Sequence, residues 1–144
     1  MPMTAKLSTK LEVSGQVHPE DVPELARKGF TAIVNNRPDG EEPGQPTAEE
    51  VRAAAEAEGL AYVHLPMIPA ELSSELVSNF AAAIERSPGP VLAHCRSGMR
   101  SVLLWALAEA SGGSQPVDQI LAQAAGAGFD ISRMRPLIEQ FAAR

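Results

Sequence analysis

A single cysteine, two arginines and a glycine crowd into the segment Cys95-Arg96-Ser97-Gly98-Met99-Arg100-Ser101. A short apolar run, Val91 to His94, delivers the cysteine, and an apolar stretch from Val102 to Ala108 follows. Strand, tight loop and helix start in that order make an anion cradle, because successive backbone N–H groups converge where the helix dipole adds positive charge. A thiol at the floor of such a cradle, beside arginine, is expected to titrate in the range of roughly 3.5–7.5 rather than near ~8.5. The chemistry this predicts is nucleophilic attack by Cys95 on a bound oxyanion. Arg100 acts as the clamp, since its planar fork matches tetrahedral oxyanions. A cation at a helix N-terminus opposes the dipole and so needs an anionic partner.

The rest of the loop takes supporting parts. Backbone amides of Arg96, Ser97, Gly98, Met99 and Ser101 are the expected substrate contacts, with Gly98 permitting close approach or positive φ. Ser101 either donates to the thiolate or caps the helix. Arg96 either guides the anion inward or is a solvated surface residue. His94 reads as loop support rather than a base, and His18 and His64 read as structural.

Every strand that aims a loop at this site must end on the same sheet edge. Strands are expected at Leu11–Gln16, Phe30–Val34, Leu60–Leu65 and Val91–His94. Helices are expected from Pro19 to Lys28, from a Thr47 capping box to Glu58, and from Ser74 to Arg86 behind Ser73. Beyond the all-round apolar helix at Val102–Ala108, two more are expected at Pro116–Ala125 and Ile131–Ala143. Alternation of this kind implies an α/β fold, a parallel sheet with helices on both faces, in one domain spanning 1–144. Ligands of such sheets sit beyond the carboxyl strand ends. The loops starting at Asn35, Pro66 and Cys95 should therefore share one pocket. Within the first of these, Arg37 and Asp39 read either as pocket residues or as a Pro-Asp-Gly turn. The pairs Glu41-Glu42 and Glu49-Glu50 read as solvated or capping.

A formal net charge of −6 over 144 residues argues against nucleic acid or an anionic membrane surface as the main partner. A lone cysteine suits a reducing compartment, and the N-terminus has no apolar targeting segment, so a cytoplasmic location is expected. The scattered histidines and cysteine lack metal-site spacing, so no metal or other cofactor is expected.

The loop resembles those of cysteine phosphatases and of rhodanese-type sulfurtransferases. A wider set of motifs is more specific: Ser14-Gly15-Gln16, Gly29-Phe30, Asn36-Arg37-Pro38-Asp39-Gly40-Glu41-Glu42, His64-x-Pro66 and Gly89-Pro90-Val91-Leu92-Ala93-His94-Cys95. Together they resemble the bacterial phosphatase-like domain of beta-lactamase hydrolase-like proteins, over roughly residues 7 to 140. The resemblance implies a cysteine-phosphatase-like fold with a four- or five-stranded sheet, and a functional link to a persulfide dioxygenase. Two departures from the phosphatase pattern stand out. Four residues separate Cys95 from Arg100 where phosphatases have five, which is the rhodanese length. The stretch Pro66-Met67-Ile68-Pro69-Ala70-Glu71 also lacks the phosphatases' aspartate, leaving Asp39 and Glu71 as candidate stand-in acids. A positioned acid is worth ~10²–10⁴-fold in expelling an alkoxide. Sulfite and thiolates leave without one. The sequence therefore predicts a sulfurtransferase that carries sulfane sulfur from thiosulfate or a persulfide to a small thiol on Cys95. The alternatives are phosphate monoester hydrolysis through a phosphocysteine, and a non-catalytic anion-binding module.

Overall fold

In the computed structural model, which describes residues 1–143, five strands form one sheet: β1 (Thr4–Lys6), β2 (Leu11–Ser14), β3 (Ala32–Asn35), β4 (Ala61–His64) and β5 (Val91–His94). Their order is β1-β2-β5-β3-β4, and all neighbours are parallel except β1, which runs antiparallel to β2. The cysteine strand, β5, is therefore central. It is paired on both sides in matched register, with His94 beside Ser14 of β2 and Asn35 of β3.

Alternation along the strands sorts the helices. Ile33 and Leu92 point to one face, where α1 (Val22–Arg27) and α2 (Ala48–Ala57) close over them with Leu25, Val51 and Ala55. Val13, Val34 and Ala93 point to the other face. There α3 (Ser74–Glu85), α4 (Met99–Gly112), α5 (Val117–Gly126) and α6 (Arg135–Ala142) complete the layer. The apolar helix α4 is enclosed as its composition requires, with Ser101 to Leu107 all buried. The expected fold class holds, at the larger of the two strand counts.

Three differences from the sequence reading have local causes. The edge strand β1 is only half-buried and carries no periodicity that would reveal it. The expected helix from Pro19 opens as a 3-10 turn, Pro19–Asp21, because Pro23 has no N–H to donate back to that turn. Pro136 acts similarly near the C-terminus, where a 3-10 turn at Ser132–Met134 precedes α6. The boxed start at Thr47 is formed as expected, with Glu50 N donating to the Thr47 hydroxyl and the Glu50 carboxylate accepting from Thr47 N. No helix among the described residues is long and apolar enough to cross a membrane.

Candidate active site

Cys95 leaves β5 at the centre of the sheet's carboxyl edge and is 1% exposed. The chain turns back at once through Gly98, whose φ of 98° lies in the left-handed region that favours glycine. That turn aims the Gly98 N–H at the sulfur, 3.1 Å from Sγ, and begins α4. A Cβ on Gly98 would lie 3.1 Å from the Phe129 ring. Gly98→Ala is therefore expected to cost about 1–3 kcal/mol from backbone strain alone. Turnover should also fall as the amide swings from the sulfur; chemical denaturation and an initial-rate assay on the same sample measure both.

The loop is braced from below. Gln16 N donates to the Arg96 carbonyl at 3.3 Å, and a Cβ on Gly15 would lie 2.8 Å from that same oxygen. Backbone approach this close requires glycine. Arg96 and Ser97 are exposed on the outer side of the turn, and Met99 is 42% exposed. Arg96 lies 3.7 Å from Glu42, a long pair at the surface.

Asn36 ties the three expected loops together. Its backbone N–H donates to the His94 carbonyl at 2.7 Å, and its carbonyl accepts from Met67 N at 2.9 Å. Its side-chain amide donates to the Leu65 carbonyl at 2.9 Å, and its Oδ1 accepts from the Ser101 hydroxyl at 2.7 Å. This corrects the expectation for Ser101, which spends its proton on Asn36 rather than on the sulfur. The cap position of α4 belongs to Gly98.

The loop following β3 supplies a charged relay. Arg37 is 1% exposed, and each of its three guanidinium nitrogens has a partner. Its Nε donates to Glu41 at 2.8 Å, one terminal nitrogen to Glu42 at 3.0 Å and the other to Gln16 at 2.9 Å. Glu41 in turn takes both terminal nitrogens of Arg100, at 2.8 and 2.9 Å. The solvated reading of Glu41 is thus corrected: one carboxylate is shared by a buried and a half-buried arginine. Its bonds to Arg100 and Arg37 outweigh partial desolvation and hold its pKa down, from 4.5 to about 2. The Arg100 pKa is raised, by Glu41 first and also by the charge of Cys95.

A carboxyl group with a depressed pKa supports its pairing above its ordinary range. The Glu41 contribution is therefore intact above about 4.5 and lost only as pH falls towards about 2. Glu41→Gln should leave the pH profile above 5 unchanged in shape. It should lower kcat by up to ~10²-fold through displacement of Arg100, and methylguanidine should not restore the loss. Steady-state kinetics across pH check both.

The remaining sequence candidates lie elsewhere. Asp39 Oδ1 accepts from Ala48 N at 2.8 Å, which ties it to the start of α2. Glu71 is exposed on the 3-10 turn Pro69–Glu71. The His94 ring, expected to be hydrogen-bonded support, is fully buried and makes no well-formed hydrogen bond to the described residues from either nitrogen. Burial pushes its pKa down to about 3. His64 Nε2 pairs with the Arg37 carbonyl at 2.7 Å, a structural role as expected. Sequence reasoning gave no role to Asn36 or Gln16. One available signal was a Pro/Gly-rich loop that nonetheless packs Arg37, Glu41 and Glu42 close together at the sheet's carboxyl edge.

Known proteins share this fold. A crystal structure of nma1982, a candidate phosphatase from Neisseria meningitidis z2491, superposes with a TM-score of 0.85 at 33% identity, covering 95% of this chain and 96% of that one. Tk-PTP in its active form (TM-score 0.78, 20% identity, 99% and 98% covered) shares the fold. So does PTPMT1 (TM-score 0.76, 12% identity, 98% and 94% covered). Among curated proteins, the beta-lactamase hydrolase-like protein of Xylella fastidiosa (strain 9a5c) is 38% identical over 134 residues, 93% of this chain. That of Agrobacterium fabrum (strain C58) is 37% identical over 108 residues, 75% of this chain. The chain spans only 31% and 25% of the length of those two proteins. The family model of the beta-lactamase hydrolase-like protein, phosphatase-like domain, matches residues 4–112, a stretch that holds β1 to β5, the cysteine loop and the Arg37–Glu41–Arg100 relay. With a cysteine-phosphatase-like fold and a model match across most of its length, this chain belongs to that phosphatase-like family.

Proposed function

We propose that the protein is a thiol-dependent hydrolase of small phosphate monoesters. The observation that carries this reading is the Gly98 amide directed at the Cys95 sulfur, with the Arg100 guanidinium fixed on the same loop by Glu41. Likeness to phosphatase-like proteins supports this activity better than the sulfur transfer expected from the sequence. In the reaction, the Cys95 thiolate attacks phosphorus and the bond to the ester oxygen breaks with its electron pair. Loop amides and Arg100 hold the non-bridging oxygens. Water then attacks the phosphocysteine, releasing inorganic phosphate and the thiolate.

The carboxylates near the site shape the substrate range. Glu41 is ionised throughout the physiological range, Asp39 is bound to α2, and Glu71 is exposed at the rim. None of them is set to protonate a departing alkoxide, so the favoured substrates expel stable oxyanions, as aryl and acyl phosphates do. A second reading, sulfur transfer from thiosulfate or a persulfide, is favoured by the four-residue spacing of Cys95 and Arg100 and by the same lack of a positioned acid. In that reading an enzyme that oxidises persulfides is the natural functional partner.

Parallel assays decide between them. With 4-nitrophenyl phosphate, steady release of phosphate is expected; with thiosulfate and cyanide, no thiocyanate. Thiocyanate formation without phosphate release would replace the first reading by the second.

A further inference from the structure

A hollow of about 320 Å³ opens beside the cysteine loop, and among the described residues Arg100 is the one charged residue that lines it. Met99 and Leu103 of α4 line it together with Met134, Leu137, Met67 and Leu72. Exposed large apolar residues are otherwise confined to the N-terminus. Of Met1, Met3, Met99 and Met134, the latter two both stand in this hollow. Open apolar surface concentrated in one concavity marks a binding site, and methionine suits ligands of variable shape.

We propose that this hollow receives the apolar body of the same substrate whose anionic head enters the cysteine loop. The occupant is an amphiphilic phosphate ester with an aryl or alkyl-aryl portion, not a free inorganic anion or a polar sugar phosphate. Arg100 joins the two halves. It stands in the first turn of α4, directly after the loop that holds Cys95, and its side chain borders the hollow, so a ligand whose head is held at that loop would direct its body there. The leaving-group argument and the apolar lining select the same chemistry, since an aryl oxide leaves readily and its ring supplies the apolar body. The proposal rests on the proposed function only in placing an anionic head at Cys95.

A series of alkylphosphonates, methyl to octyl, tests it, because these bind without reacting. Calorimetric affinity is expected to rise about three- to fourfold per added methylene over the first several carbons, with every member displaced by inorganic phosphate. Met134→Ser, a change at a partly exposed position, should flatten that rise. A flat series in the unaltered protein overturns the proposal, as does octanol binding as tightly as octylphosphonate. A concentration-dependent dimer that Met134→Ser dissociates would also overturn it, by showing that a second copy covers the hollow. If 4-nitrophenyl phosphate is not hydrolysed while the chain-length rise persists, the hollow stands as an amphiphile site and the phosphatase reading alone falls.

Discussion

Cys95→Ser is expected to reduce turnover of 4-nitrophenyl phosphate to the buffer background. Oxygen for sulfur changes the buried volume little, so the loop should keep its shape and the melting temperature should stay within a few degrees. The chemistry is not expected to survive, because a serine hydroxyl needs a base and neither His94 nor Glu41 is suited to serve as one. His94 is adjacent in sequence, but burial holds its pKa at about 3, and so weak a base takes few protons from an alcohol. Glu41 is committed to two guanidinium groups. Binding should outlast catalysis: the Gly98 amide and Arg100 remain, so calorimetry with inorganic phosphate should give an affinity close to that of the unaltered protein. A serine variant that retained more than a few per cent of the rate would remove Cys95 from the role of nucleophile.

Arg100→Lys is expected to lower kcat by roughly 10²–10³-fold, the usual cost of losing a positioned donor to developing negative charge. Lysine keeps the charge but not the fork. In the present arrangement both terminal nitrogens of Arg100 bond to Glu41, and the guanidinium retains further N–H groups for a bound anion. An ammonium cannot face two partners in fixed planes at once. KM should change less than kcat if the clamp tightens in the transition state, which steady-state kinetics would separate. Stability should change little, since Arg100 is partly exposed and exposed ion pairs contribute modestly.

Much of this was legible because it lies on contiguous residues. The Val91–His94 strand, the Gly98 turn and the apolar α4 are each written in a local pattern, so the central strand and the place of Cys95 and Arg100 beside it could be read from the chain. Boundaries blurred where proline tightened a first turn, at Pro23 and Pro136, and where an edge strand was too short to alternate. The relay was not legible. Glu41 meets Arg100 across 59 residues, and acidic residues in a Pro/Gly-rich loop look like any solvated pair until the loop is folded against the site. Burial of Arg37 is a tertiary outcome of the same kind. Nor does a sequence pattern distinguish Asp39 at the start of a helix from Asp39 in a pocket, since both use the same Pro-Asp-Gly turn. The methionine-walled hollow draws residues from three separate stretches, which no local period connects.

Sharing one carboxylate between Arg37 and Arg100 has a consequence for how the proposed hydrolase would let go of its product. A lone guanidinium would grip a phosphate dianion with its whole charge and release it slowly. Here a resident anion already neutralises part of that charge, so an arriving anion gains only the surplus. In the proposed hydrolase, spent phosphate would then be bound loosely, and departure of the product would not throttle the cycle.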